Sequence, residues 1–116
     1  MQKYQGQCHC GQVQYEFESV IDKVFVCNCS HCAIKGMQLT FIPESKFTLV
    51  SGKENLVEYR FNKKTIEHLF CKVCGVQTFS FGSGPNGEKM ACINLRTVKD
   101  LDVTGLPEES FNGKDL

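Results

Sequence analysis

The chain has 116 residues, with thirteen Lys plus Arg balanced by thirteen Asp plus Glu. A length of this order buries roughly two-thirds of the unfolded surface, so a single domain spanning 1–116 is expected. With no basic stripe to neutralise phosphates, nucleic-acid binding is not expected, and no apolar run nears the ~20 residues of a membrane span.

The start, Met1-Gln2-Lys3-Tyr4-Gln5-Gly6, is polar and carries no apolar signal region. That predicts a cytoplasmic protein whose thiols stay reduced. Cys8-His9-Cys10-Gly11 follows as a short knuckle. Val13-Gln14-Tyr15-Glu16-Phe17-Glu18 then alternates apolar and polar residues, the pattern of a half-buried strand. A strand over 24–27 runs into Cys27-Asn28-Cys29-Ser30-His31-Cys32, and one helical turn from His31 to Lys35 is stopped by Gly36. Strands over 38–42 and 47–50 flank a second short turn near 43–46. Segments 56–61 and 65–70 read as a hairpin through Asn62-Lys63-Lys64. Cys71-Lys72-Val73-Cys74-Gly75 comes next. Strands over 77–82 and 90–95 are joined by the turn-forming run Gly82-Ser83-Gly84-Pro85-Asn86-Gly87. The tail, 105–116, reads as irregular, with Phe111 as its anchor. The fold class is mainly β with little helix.

Seven of the eight cysteines fall in the three clusters. A disulfide framework fits them poorly. Cysteines two apart make poor disulfide partners, whereas Cys-x-x-Cys-Gly is a turn that aims two sulfurs at one metal. Gly75 supplies the positive φ such a turn favours. Four thiolates close a tetrahedral zinc as a structural site, and three leave a position open for chemistry. The two knuckles, Cys8/Cys10 and Cys71/Cys74, make a four-cysteine site when joined. Cys27/Cys29 with Cys71/Cys74 is a rival pairing that spacing does not exclude. The fourth place on Cys27, Cys29 and Cys32 is open to His9, His31, water or a ligand thiol. Three thiolates make zinc a weaker Lewis acid than three neutral histidines do, so such a site suits a soft sulfur ligand better than ionised water. That favours making or breaking carbon–sulfur bonds.

In this order the clusters resemble the glutathione-dependent formaldehyde-activating enzymes, a family that also includes centromere protein V. The likeness runs from Gly6-Gln7-Cys8-His9-Cys10-Gly11 to Phe111-Asn112-Gly113, through Ser51-Gly52, Leu56 with Tyr59, Phe70-Cys71-Lys72-Val73-Cys74-Gly75 and Ile93-Asn94-Leu95-Arg96. It departs after Arg96, where many members read Arg-Cys-Leu-Asp and this chain has Arg96-Thr97-Val98-Lys99-Asp100. The resemblance implies zinc-stabilised antiparallel sheets of the β-tent type. It implies two zinc ions: a structural one on Cys8, Cys10, Cys71 and Cys74, and a catalytic-type one on Cys27, Cys29 and Cys32. It also implies carbon–sulfur lyase activity on glutathione and formaldehyde.

The remaining candidates have plainer readings. Cys92 is expected to be an apolar filler of its strand. His9 and His31 are expected as spacers or donors to a sulfur, and His68 as a side chain on the polar face of its strand. Phe41, Phe79 and Phe81 are expected in the core, and Lys63-Lys64 and Glu108-Glu109 as solvated charge. Arg96 pairs with a carboxylate of the protein or, with Lys35 as the alternative, anchors the carboxylate of a thiol substrate. The leading expectation is an enzyme acting on a small-molecule thiol and an aldehyde. A non-catalytic zinc module for protein interaction is the alternative, and a metal or redox sensor the third.

Overall fold

The computed structural model describes residues 1–61, 66–84 and 86–115. The strands in chain order are β1 (Gln2–Gln7), β2 (Gln14–Ser19), β3 (Val24–Cys27), β4 (Leu39–Pro43), β5 (Phe47–Ser51), β6 (Leu56–Tyr59), β7 (Glu67–Cys71), β8 (Gln77–Ser83), β9 (Lys89–Asn94) and β10 (Glu108–Phe111). One short helix, α1 (Ser30–Lys35), lies between β3 and β4. Among the described residues these strands form two sheets, ordered β1-β2-β5 and β10-β3-β4-β9-β8-β7-β6. All neighbours are antiparallel except β10, which runs parallel to β3.

The two-residue alternation read from the sequence decides which face goes where. Tyr15 and Phe17 of β2 turn inward and are 1% exposed. They meet the large sheet through aromatic contacts. Tyr15 packs edge-on to Phe79 at 5.5 Å between ring centroids, and Phe47 meets Phe79 at 4.7 Å and Phe81 at 5.4 Å. Ala91 and Ile93 of β9, Ile42 of β4 and Leu95 complete this main core. Burying an aromatic side chain of this size is worth about 1.5–3 kcal/mol, so the rings dominate the packing of sheet on sheet. Tyr15 donates to Thr97 Oγ1 at 2.6 Å, and Thr97 in turn donates to the Asn94 carbonyl at 2.8 Å.

The opposite face of the large sheet carries a different row. Register places Phe41, Cys92, Ser80, His68 and Tyr59 side by side on β4, β9, β8, β7 and β6. Here α1 lies down, and Cys27, Cys32, Met37 and Leu39 form a second, smaller buried cluster with Phe25, Phe41, Cys92 and Phe111 against it.

The hairpin pairing of β6 with β7 agrees with the sequence reading; its Asn62-Lys63-Lys64 turn lies outside the described residues. The short turn near 43–46 is a 3-10 turn at Glu44–Lys46. Two strands escape the sequence reading. β1 buries only Gly6, and β10 buries no residue fully. Each is an edge strand whose ladder of backbone hydrogen bonds is joined by a single partly buried ring, Tyr4 in β1 and Phe111 in β10, so neither shows an apolar stripe. A further correction concerns His68. It does not face solvent but is 4% exposed in the row beneath α1, because that face of the sheet is covered.

Candidate metal centres

The first knuckle hangs between β1 and β2. Gly11 N–H donates to the Cys8 carbonyl at 3.2 Å, and Cys8 N–H donates to the Val13 carbonyl at 3.0 Å. The second knuckle repeats the design after β7. Gly75 N–H donates to the Cys71 carbonyl at 2.7 Å, and Cys71 N–H donates to the Val76 carbonyl at 3.0 Å. Gly75 sits at φ 80, the left-handed value the spacing called for. Thus Cys8, Cys10, Cys71 and Cys74 converge, their sulfurs all within 4.8 Å of one another. Cys8 and Cys10 Sγ are 3.6 Å apart, and Cys10 and Cys71 Sγ 3.7 Å. A tetrahedron with Zn–S bonds of about 2.3 Å has edges of about 3.8 Å, so these residues fit a zinc ion. Cys8 and Cys71 are 1% and 0% exposed and belong to the main core.

The sulfurs are also prepared as acceptors. Val13 N–H donates to Cys8 Sγ at 3.3 Å, and Val73 N–H to Cys71 Sγ at 3.4 Å. Burial pushes the Cys74 thiol up, but hydrogen bonds from the Cys10 and Val76 backbone and from the Cys8 and Cys71 thiols outweigh it. The net pKa is about 6.

Cys27 ends β3, Cys29 is the N-cap of α1 and Cys32 lies in its first turn. Cys29 Sγ accepts from Cys32 N–H at 3.3 Å, and Gly36 closes the helix at φ 65. The three sulfurs lie within 4.8 Å of one another. Among the described residues, no fourth sulfur, imidazole or carboxylate joins them at that distance. The rival pairing is therefore separated in space: Cys27 and Cys29 stand in one group, Cys71 and Cys74 in the other. Burial raises the Cys27 and Cys32 thiols. On Cys29 burial is overcome by hydrogen bonds from the Cys32 backbone and thiol, the Cys27 thiol and the His31 backbone, and its pKa falls. One low-pKa thiol among three is a starting point for metal capture, since the ligand form is the thiolate.

Other candidates fall beside this group rather than in it. His9 is exposed and belongs to neither group. His31 stacks on Phe61 at 5.5 Å between centroids and on Tyr59 at 5.8 Å, and meets the His68 ring at a tilt at 4.1 Å. Among the described residues, the Nδ1 atoms of His31 and His68 and the Thr78 hydroxyl are buried without a hydrogen-bond partner. Burial, then the charges of His31 and Lys35, hold His68 down to about 4. Lys35 donates to Gln77 Oε1 at 2.8 Å and lies over the Phe70 ring at 5.9 Å. Burial lowers its pKa, and the charge of Cys32 partly restores it. Cys92 packs against the three-cysteine cluster without joining it. Burial raises its thiol, a hydrogen bond with Ser80 opposes this, and the charges of Cys27 and Cys29 raise it further, to about 12. Arg96 lies elsewhere. With Leu95, Leu101, Asp102, Val103 and Thr104 it lines a depression of about 330 Å³ that contains no cysteine, and its charge helps to lower the Asp102 carboxyl behind the leading effect of the Thr104 hydrogen bonds. Sequence reasoning missed the tilted His31–His68 contact, which depends on the register of β7 against β8 and β6 that puts His68 under α1.

Comparison with known proteins adds two findings. A family model described as glutathione-dependent formaldehyde-activating enzyme matches residues 3–112. A Rhodobacter sphaeroides protein of known crystal structure is 27% identical with a TM-score of 0.77, over 90% of this chain and 99% of that one. Among the described residues, no helix is long and apolar enough to cross a membrane.

Proposed function

The chain belongs to the family of glutathione-dependent formaldehyde-activating enzymes, and we propose that it is a zinc-dependent carbon–sulfur lyase joining a small thiol such as glutathione to an aldehyde such as formaldehyde. One observation supports this most: the four-cysteine group is complete, with Cys8 and Cys71 in the main core, whereas the three-cysteine group, set in the second cluster at α1, has no fourth donor from Cys, His, Asp or Glu among the described residues. The proposed roles are structural for Cys8, Cys10, Cys71 and Cys74, and reactive for Cys27, Cys29 and Cys32. Zinc held by three thiolates offers a soft fourth position that lowers the pKa of an added thiol.

The reaction is an addition without redox change. The thiol loses its proton, its sulfur forms a bond to the carbonyl carbon, the C=O π bond breaks, and a proton ends on the oxygen to give the hydroxymethyl thioether. The reverse step returns thiol and aldehyde. Lys35, one turn beyond His31 and close enough for Cys32 to influence its charge, is the cation we assign to the carboxylate of the thiol. It would exchange Gln77 for the substrate. Arg96 is the less favoured anchor, since it faces Asp102. We place the reaction in the cytoplasm, where thiols stay reduced.

The test is cobalt substitution. Glutathione added to the cobalt protein should convert the visible spectrum of one site from three sulfurs to four, with release of about one proton near neutral pH. An analogue with serine in place of its cysteine should not. Four sulfurs at both sites before any thiol is added would overturn the proposal in favour of a non-catalytic zinc module for protein interaction.

A further inference from the structure

The run Phe111-Asn112-Gly113 supplies no metal ligand, yet the structure wraps it around the three-cysteine loop. β10 pairs with β3 in parallel, and the register sets Phe111 opposite Cys27. The Phe111 ring packs on Phe41 at 5.0 Å. From there the tail grips Asn28, the residue between two of the sulfurs, at three points. Asn28 N–H donates to the Phe111 carbonyl at 3.1 Å, Asn28 Nδ2 donates to Asn112 Oδ1 at 2.9 Å, and Lys114 N–H donates to Asn28 Oδ1 at 2.9 Å. Gly113 passes so close that a Cβ built on it would run into Cys27 Sγ and lie 3.6 Å from the Cys29 Cβ. Its backbone does not take a left-handed φ, so it is the close approach, not the conformation, that calls for glycine here.

We propose that Gly113 is a positioning residue, and that residues 111–114 form a strap which sets the Cys27 sulfur for the metal held by Cys27, Cys29 and Cys32. This rests on the assignment of those three cysteines as metal ligands. A methyl group at 113 must push either the strap or the sulfur away. Cys27 sits at the end of a strand, while the strap is fixed by three hydrogen bonds and the Phe111 ring, so the sulfur's side-chain torsion is the softer element and gives way. Groups that orient a metal ligand typically change metal affinity 10- to 100-fold when altered. The strap also makes the second site a joint product of both ends of the chain: its ligands come from one segment and their placement from another more than eighty positions later.

The experiment is competition with a chromophoric zinc chelator on the full chain, with thermal melts and the absorption spectrum of the cobalt form as further readouts. The parent should release zinc in two steps. Gly113→Ala should move the first step to roughly 10- to 100-fold weaker binding and distort the corresponding cobalt band, leaving the second step in place. Asn28→Ala removes two of the three clasps and adds no atoms, so it should shift the same step in the same direction. Lys114→Ala, which keeps the backbone donor, should shift neither. Two parental steps that stay put in both Gly113→Ala and Asn28→Ala overturn the proposal alone. Equal weakening of both steps also overturns it, since a merely structural role would act on the whole fold. A parent with a single release step overturns the metal assignment, and the strap with it.

Discussion

Cys71→Ser against Cys29→Ser separates the two metal groups by stability. Cys10 and Cys71 stand 61 positions apart, and their sulfurs are 3.7 Å from each other. With the cross-link relation for disulfides as a guide, tying a loop of that size removes chain entropy worth about 4 kcal/mol at 25 °C. Cys27 and Cys32 span only six residues, for which the same relation gives about 2 kcal/mol. Burial widens the gap, because Cys71 is fully buried in the main core and its replacement leaves a hydroxyl there. A domain of this size is stable by about 5–15 kcal/mol, so Cys71→Ser should remove a large share of the total and lower Tm by roughly 15 °C or more. Cys29→Ser should lower it by less than half as much, while abolishing the thiol-induced cobalt band. Circular dichroism melts on reduced protein, with metal content measured on the same samples, give the answer. Equal losses of Tm in the two variants would refute the division into a structural and a reactive site. A Cys71→Ser melt within about 3 °C of the parent would refute the loop argument itself.

Three further outcomes follow from the geometry. A chelator added to the intact protein should strip the three-cysteine metal first with little change in far-ultraviolet dichroism, and unfolding should accompany only the second loss; the order of the two signals in one titration checks this. His68 takes its proton near pH 4 in the fold against about 6.5 unfolded, so the stability it confers is full above about pH 6.5 and is lost as the pH falls towards 4. By pH 5 the loss is about 2 kcal/mol, and His68→Leu should lose correspondingly less between pH 7.5 and 5 in melts at matched metal content; parallel pH profiles would contradict it. Gly6→Ala places a methyl group in the Tyr15 ring that covers it across the β1–β2 pair, and should cost about 1–3 kcal/mol without changing metal stoichiometry.

The sequence determined what depends on local chemistry and on period. The knuckle at Cys71 and Cys74, its turn at Gly75, the helix stop at Gly36 and the alternating strands are fixed by neighbours a few residues away, and all stand where their residues imply. Strand positions were also legible through their buried face: β2, β8 and β9 place Tyr15, Phe17, Phe79 and Ile93 in one core. Partnership between distant segments was not. Spacing left two pairings of the cysteine knuckles open, and only the arrangement of β1, β2 and β7 brings Cys8 and Cys10 to Cys71 and Cys74. β1 and β10 each bring only one partly buried ring to the core, Tyr4 and Phe111, beside their ladder hydrogen bonds, so neither carries an apolar stripe and no pattern in the chain announced them. His68 looked polar-facing because alternation tells which residues share a face, not whether a helix lies over it. The strap on Cys27 belongs to the same class: Gly113 is one glycine among ten, and only the parallel pairing of β10 with β3 carries its backbone against a sulfur more than eighty residues away.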